Sequence, residues 1–496
     1  MSPPPASGAL AAVRDRLAAA DPDGSLVPCG IAQLHIGADA VQRVGGVVED
    51  LLAGGSSPGR RPDVLLLVDR TRIERAGADL KALVQDQLAQ RAAVRREVLD
   101  DGHGELHVSE AVVQAATDAA RGADAVVAVG GGTISDIAKL ATARAGAAAL
   151  VVVQTAASVD GYTDDVSVVL RDGVKRTVPS RWPDAVIADV EVIGGAPPGM
   201  NRAGFGEMTS MFTAPADWRL ASLVGVDPTF HRGPIALLEE VGGELGTWSA
   251  GLRTAEPEAV EQLTRALAVR GIATGVAGTT AALSGVEHLV SHMLDLHHGE
   301  RGEPIGLHGA QVGVAAVVAA AAWELLLERL AAGEHETPRT EAALARALDA
   351  DAARRRVERA FAPLDPTGRI GGECWSDYAK KLAAVAQHRE QLRGFLRSWR
   401  QHEGELRSLL RPSAQMGSAL RAAGAAATFE ELSPSVDADL ARWAVQHCAL
   451  MRDRFTAVDL LTLLGWWGDA EVDDVLERAA RAVGPAAEVS GVGRGG

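Results

Sequence analysis

Five of the chain's 13 histidines fall between positions 288 and 308. His288 and His292 are four apart, a spacing that puts both rings on one face of a helix. His308-Gly309 follows, immediately before a long apolar stretch. Two or three neutral imidazoles with one carboxylate make a divalent-metal site that keeps a position open for substrate. For any one of these histidines alone, a packed or capping role is the competing explanation. His297 and His298 read as solvated residues of a polar loop. Glu207, in Gly204-Phe205-Gly206-Glu207, is a candidate for the carboxylate. It is expected at the head of a helical segment running on through Asp217-Trp218, where a Glu could equally be a first-turn residue favoured by the helix dipole.

A second kind of chemistry is written at residues 126–139, where a β-branched apolar run leads into Gly130-Gly131-Gly132-Thr133-Ile134-Ser135-Asp136 and then Lys139. Glycine removes the Cβ that would hold a pyrophosphate off the backbone, and N–H groups at a helix start point at it. A strand, a triple-glycine turn and a helix start therefore predict dinucleotide binding, although the spacing is not the usual GxGxxG. Asp69 ends the apolar run 64–68, where a carboxylate can accept from ribose hydroxyls or cap a turn.

The elements that must position these groups divide the chain in two. Between about residues 30 and 195, apolar runs at 64–68, 125–129, 150–153 and 185–188 alternate with helix-length segments. That pattern predicts an α/β nucleotide-binding domain with a parallel, Rossmann-like sheet covered on both faces. From about 196 to 483 helical periodicity dominates, predicting an all-α domain for metal and substrate. Within it, residues 333–412 are strongly charged and read as surface helices. Residues 1–29 read as an N-terminal extension with disorder at 1–8, and 484–496 as a disordered tail.

Composition narrows the function. The chain of 496 residues has 49 Lys+Arg against 65 Asp+Glu, a net charge of −16, which argues against nucleic-acid binding. The longest apolar run, residues 312–323, is short of the roughly 20 residues a membrane span needs. Cys29, Cys374 and Cys448 are far apart and odd in number, and the opening residues lack a secretory pattern, so a reducing cytoplasm is expected.

In this order the motifs resemble the glycerol-1-phosphate dehydrogenase branch of the iron-containing alcohol dehydrogenase and dehydroquinate synthase-like superfamily. The matching segments are 130–139, Gln154-Thr155-Ala156-Ala157-Ser158-Val159-Asp160-Gly161, Gly173-Val174-Lys175, 185–189, 204–207, Asp217-Trp218, 284–292, 308–313 and 451–456. The resemblance implies an active site between the two domains. It implies that Gly131, Gly132, Thr133, Ile134, Ser135 and Asp136, with Thr155, Ala156, Ala157 and Ser158, hold NAD or NADP, with Asp69 near the adenosine ribose. It maps the metal ligands to Glu207, His288 and His308, and places Asp160 and His292 against substrate as the catalytic pair. Zinc is the first expectation for the ion, with nickel or iron as alternatives. The implied substrate is a small polyol or polyol phosphate, and homodimers are common among such proteins.

Two positions depart from the branch. Glu207 stands where its dehydrogenases usually carry Asp and its cyclases Glu, and Asp164, followed by Asp165, stands where a cofactor-contacting Ser is frequent. A carboxylate there would repel a phosphate unless it were paired or turned away. Three readings follow: a metal-dependent polyol or polyol-phosphate dehydrogenase, a sugar-phosphate cyclase with transient NAD redox, and a non-catalytic relative.

Overall fold

The computed structural model describes residues 6–53, 60–104, 106–171, 174–243 and 245–484. The end of the chain from 485, residues 1–5, and Gly173 of the Gly-Val-Lys motif lie outside the described residues. Besides a short antiparallel pair at Glu74–Arg75 and Ala78–Asp79, the strands are β1 (Gln33–Gly37), β2 (Asp63–Val68), β3 (Ala93–Val98), β4 (Ala125–Gly130), β5 (Ala149–Gln154), β6 (Val166–Arg171), β7 (Val174–Pro179) and β8 (Ala185–Asp189). Six of them form one sheet in the order β1-β8-β5-β4-β2-β3, and every neighbouring pair is parallel. Alternate residues of β4 serve opposite faces: Val127 and Val129 pack into one apolar core, Val126 and Ala128 into another. Burial on both faces is why these strands are apolar throughout. The antiparallel hairpin β6–β7 stands apart from the sheet.

Two sheet strands escape the periodicity reading. Strand β3 carries Arg95, Arg96 and Glu97 because it is the sheet's outer edge, where charge discourages pairing with another chain. Strand β1 holds only two fully buried residues, Leu34 and Ile36, in five. At the other end of the expectation, residues 6–8 are helical rather than disordered. They open α1 (Ala6–Ala20), which is held down by Leu10 and Val13 buried in the main core.

The order of addition reverses between β2 and β4: β3 is added outside β2, whereas β5 and β8 are added on the far side of β4. In open α/β sheets ligands bind at the carboxyl ends of the strands at such a reversal. Asp69 and Gly131 are the residues that follow β2 and β4 there.

Beyond Asp189 the described residues form helices and turns without a strand. Five helices position the site: α2 (Gly132–Ala145), α3 (Pro198–Met208), α4 (Pro257–Ala277), α5 (Val286–Glu300) and α6 (His308–Ala331). Helix α6 has the length and apolarity of a membrane span, yet it is buried inside the helical region as its central core element. It meets α3 backbone to backbone: a Cβ on Gly206 would lie 2.2 Å from the Gly309 carbonyl, and one on Gly309 2.2 Å from that of Ala203. The charged stretch forms four helices, Pro338–Ala347, Ala350–Phe361, Arg369–Gln387 and Arg389–Ser408, each burying an apolar face that includes Leu344, Phe361, Leu382 or Trp399.

Candidate functional site

The glycine seam between α3 and α6 brings Glu207 alongside the first turn of α6, where His308 stands. Glu207 is not at a helix head, as the sequence suggested, but in the last turn of α3. The carboxylate therefore faces the unfavourable end of the helix dipole, and other groups must stabilise it. Three do. His288 Nε2 lies 3.2 Å from Oε1, Arg270 Nη2 lies 3.1 Å from Oε1, and His308 Nε2 lies 3.7 Å from Oε2. Burial alone would raise the Glu207 pKa, but the neighbouring charges of His288, His308 and Arg270 hold it well below the carboxylate range. The same carboxylate outweighs the burial of His288 and lifts that ring to about 9.

Each imidazole is oriented from behind. Glu287 Oε1 accepts from His288 Nδ1 at 3.0 Å and from the Gly285 amide, while Oε2 accepts from the Thr213 hydroxyl. An ionised Glu287 fixes the proton on Nδ1 and turns Nε2 toward Glu207. Ser291 plays the equivalent part for His308. Its hydroxyl donates to Gln311 Oε1 at 2.7 Å, so it can only accept from His308 Nδ1 at 3.0 Å, and Nε2 again faces Glu207.

This cluster suits a divalent ion. One ligand atom from each of Glu207, His288 and His308 lies within 4.8 Å of the others. Glu207 Oε2 is buried without a hydrogen-bond partner, a costly state that a cation would relieve. His292 completes the group of rings, 5.7 Å from His308 and 6.5 Å from His288, centre to centre. Burial, followed by the charges of His308 and His288, depresses the His292 pKa well below its ordinary value. The ring is accordingly neutral at neutral pH rather than titrating there.

Arg270, in α4, was missed by the sequence reading. It is fully buried and ties three parts together: Asp160 Oδ2 at 3.1 Å, Glu207 Oε1, and the Glu207 backbone carbonyl. A single arginine in the otherwise uncharged stretch 266–277 was the available signal. Asp160 thereby joins the Glu207 cluster through one guanidinium.

The loop from Thr155 to Asp164 links this cluster to the sheet. The Thr155 amide donates to the Gly130 carbonyl, and the Ala157 amide donates to Asn201 Oδ1 of α3. Gly204 makes the approach feasible, since a Cβ there would lie 1.8 Å from the Ala157 carbonyl oxygen.

At the sheet edge, Gly131 is the N-cap of α2 and offers no side-chain cap to the first-turn amides. A Cβ on Gly131 would meet only Tyr162 Oη, at 3.9 Å, so the space above the turn is open. Gly131, Gly132 and Thr133 are partly exposed, whereas Ile134 and Ser135 are buried and the Ser135 amide already donates to the Gly131 carbonyl. Asp69 acts as the turn cap: it accepts from the Thr71 amide and hydroxyl and pairs with Lys81 Nζ at 2.5 Å.

Asp136 and Asp164 both turn inward onto Lys139, which lies 2.6 Å from Asp164 Oδ1 and 3.2 Å from Asp136 Oδ1. Asp136 also accepts from the Val168 amide of the hairpin. This pairing answers the expected repulsion. Asp164 is a partner of Lys139 in the wall beneath the turn, and the structure gives its carboxylate no open face toward a cofactor. His297 and His298 also differ from expectation: both lie in the last turn of α5, and His298 is buried.

Residues 35–197 match the family of iron-containing alcohol dehydrogenases. Among curated relatives, the glycerol-1-phosphate dehydrogenase [NAD(P)+] of Pyrococcus furiosus is 36% identical over 202 residues, 39% of this chain and 54% of the relative. That of Halalkalibacterium halodurans is 31% identical over 233 residues, 46% of this chain and 55% of the relative. The chain thus spans about half the length of these two relatives. Among solved structures, glycerol dehydrogenase from Schizosaccharomyces pombe matches 91% of this chain and 90% of its own, with a TM-score of 0.53 at 14% identity. Maleylacetate reductase from Agrobacterium tumefaciens matches 93% and 99%, with a TM-score of 0.51 at 18% identity. These likenesses establish a common two-part fold. Over residues 35–197 the chain is similar to the iron-containing alcohol dehydrogenases. The curated relatives it resembles are glycerol-1-phosphate dehydrogenases.

Proposed function

We propose that the protein is an NAD(P)- and divalent-metal-dependent dehydrogenase of a polyol phosphate, with reduction of dihydroxyacetone phosphate to glycerol 1-phosphate as its reference reaction. The observation that carries this reading is the convergence of Glu207, His288 and His308 beside Asp160, whose loop is hydrogen-bonded through Thr155 to Gly130 at the glycine turn. In this site the ion would polarise the substrate carbonyl and the reduced nicotinamide would supply hydride to its carbon.

The chain's own groups do the rest. Arg270 fixes Asp160 and Glu207 relative to each other, so the substrate-side carboxylate and the metal-side carboxylate move as one unit. Asp160 keeps partial exposure and holds a substrate hydroxyl. His292, neutral through burial and its neighbours, orients the reacting oxygen or passes it a proton. Arg452 supplies the cation a phosphate needs: it is partly buried, its charge reaches His292, and it makes no ion pair among the described residues.

The test follows NAD(P)H absorbance on adding dihydroxyacetone phosphate to protein loaded with zinc, nickel or iron, beside a chelator-stripped sample. Metal-dependent oxidation that disappears in His288→Ala supports the reading. No change, in protein shown to hold metal and nucleotide, overturns it. Arg452→Ala should raise KM for the phosphorylated substrate roughly tenfold or more, as expected for losing a charged hydrogen bond, and leave KM for dihydroxyacetone unchanged.

Glu207 sustains a second reading, a redox-neutral cyclase. It predicts turnover of a sugar phosphate with phosphate release and no net change in NADH.

A further inference from the structure

We propose that the chain carries a second divalent-metal site, built by His297, His298 and Glu303 where α5 ends and the loop to His308 begins. One ligand-capable atom from each of the three lies within 4.8 Å of the others. The two rings stand 5.6 Å apart, centre to centre, edge to face at an interplanar angle of 80°.

The second observation is unpaid desolvation. His298 is 3% exposed, and the Nδ1 atoms of both rings are buried without a hydrogen-bond partner. Polar nitrogens stripped of water without a replacement are costly, and a cation is one way to satisfy them. Another feature favours a cation at this place. It lies at the carboxyl end of a 15-residue helix, where the backbone dipole attracts positive charge.

Arg301 is the competitor. Its Nε donates to Glu303 Oε1 at 2.9 Å, which leaves the other carboxylate oxygen for a metal. A tetrahedral ion with bonds of about 2.1 Å places its ligand atoms about 3.4 Å apart. With the atoms within 4.8 Å, the cluster needs to close by at most about 1.4 Å, and the exposed Glu303 on its loop is the member able to move. Two imidazoles, one carboxylate and water suit zinc or a similar nitrogen- and oxygen-binding ion.

This site shares no residue with the Glu207 cluster, and nine helical positions, about 13 Å of rise, separate His288 from His297. It would nonetheless act on that cluster. Glu303 and His308 bound the same short loop, so an ion at His297, His298 and Glu303 would stiffen the segment that delivers His308.

The experiment counts zinc bound to stripped full-length protein by calorimetry and elemental analysis. The wild type should take up two equivalents per chain. His288→Ala and the double variant His297→Asn/Glu303→Gln should take up one each. The remaining equivalent in His288→Ala should also raise the thermal midpoint, an effect lost when the double substitution is added. A wild type that binds a single equivalent, lost in His288→Ala, overturns the proposal. So does a double variant that keeps two. A single equivalent lost in the double variant but kept in His288→Ala would instead sink the metal role of the Glu207 cluster and leave this site standing.

Discussion

The glycine turn proposed for the nucleotide and the Glu207 cluster proposed for the metal would hold a ligand in opposite ways. The turn is contiguous in sequence, and what it offers is backbone: open space over Gly131 and the uncapped start of α2. The cluster is assembled from α3, α4, α5 and α6 and offers side-chain atoms, each aimed by another side chain behind it. Backbone recognition needs little support, because a strand and a helix already fix the geometry. Side-chain recognition needs a polar scaffold, because an unoriented imidazole can turn away.

The sharpest way to break this contrast is His288→Ala. It should abolish metal retention at the Glu207 cluster, a loss of at least about 100-fold in affinity, while NAD(P) binding measured by fluorescence stays unchanged. Loss of both together would mean that the two regions form one cooperative site.

Glu287→Gln probes the scaffold without touching a ligand. It removes the carboxylate behind His288, and metal affinity should fall about 10- to 100-fold, measured by competition with a chromogenic chelator. An unchanged affinity would show that helix packing alone orients the ring.

Gly131→Val is the counterpart at the turn. A Cβ at this position meets only Tyr162 Oη, at 3.9 Å, so the thermal midpoint should hold, but the side chain occupies the space a pyrophosphate needs. NAD(P) affinity should drop about tenfold or more, corresponding to the roughly 1.4 kcal/mol or more of a lost close contact, with metal content unaffected.

The smallest effect concerns the pair beneath the turn. Burial pushes the Asp164 carboxyl up to about 7, against the opposing pull of Lys139. Its folded pKa lies above its unfolded value, so the stability it contributes is present at low pH and is lost as pH rises from about 4 through 7. Asp164→Asn should flatten that fall, by at most about 1.4 kcal/mol per pH unit, in denaturant titrations across this range. A steeper fall in the variant would mean that Asp164 is ionised and stabilised by Lys139.

Legibility followed the range of the interactions. The buried strands at 64–68, 125–129, 150–153 and 185–188 were readable because burial on both faces leaves an apolar run in consecutive residues. Strands β1 and β3 were not, because an edge position changes what a strand needs. The spacing of His288 and His292 declares a helix face, but nothing local distinguishes a ligand from the ring beside it. Glu207 was placed at the wrong end of its helix because Gly204 and Gly206, which look like a turn in sequence, are there to admit the backbones of the Ala157 loop and α6.

By itself, the sequence determined which residue types could do chemistry and which consecutive stretches would be strand, turn or helix, since those depend on neighbours a few positions away. Only the tertiary structure decided that Arg270 would join Asp160 to Glu207, that Glu287 and Ser291 would aim the two rings, and that Lys139 would draw Asp136 and Asp164 away from the turn. Most of those contacts link groups far apart in the chain. Their strength comes from burial among packed elements, where a polar atom must find a partner or bear the cost of lost water.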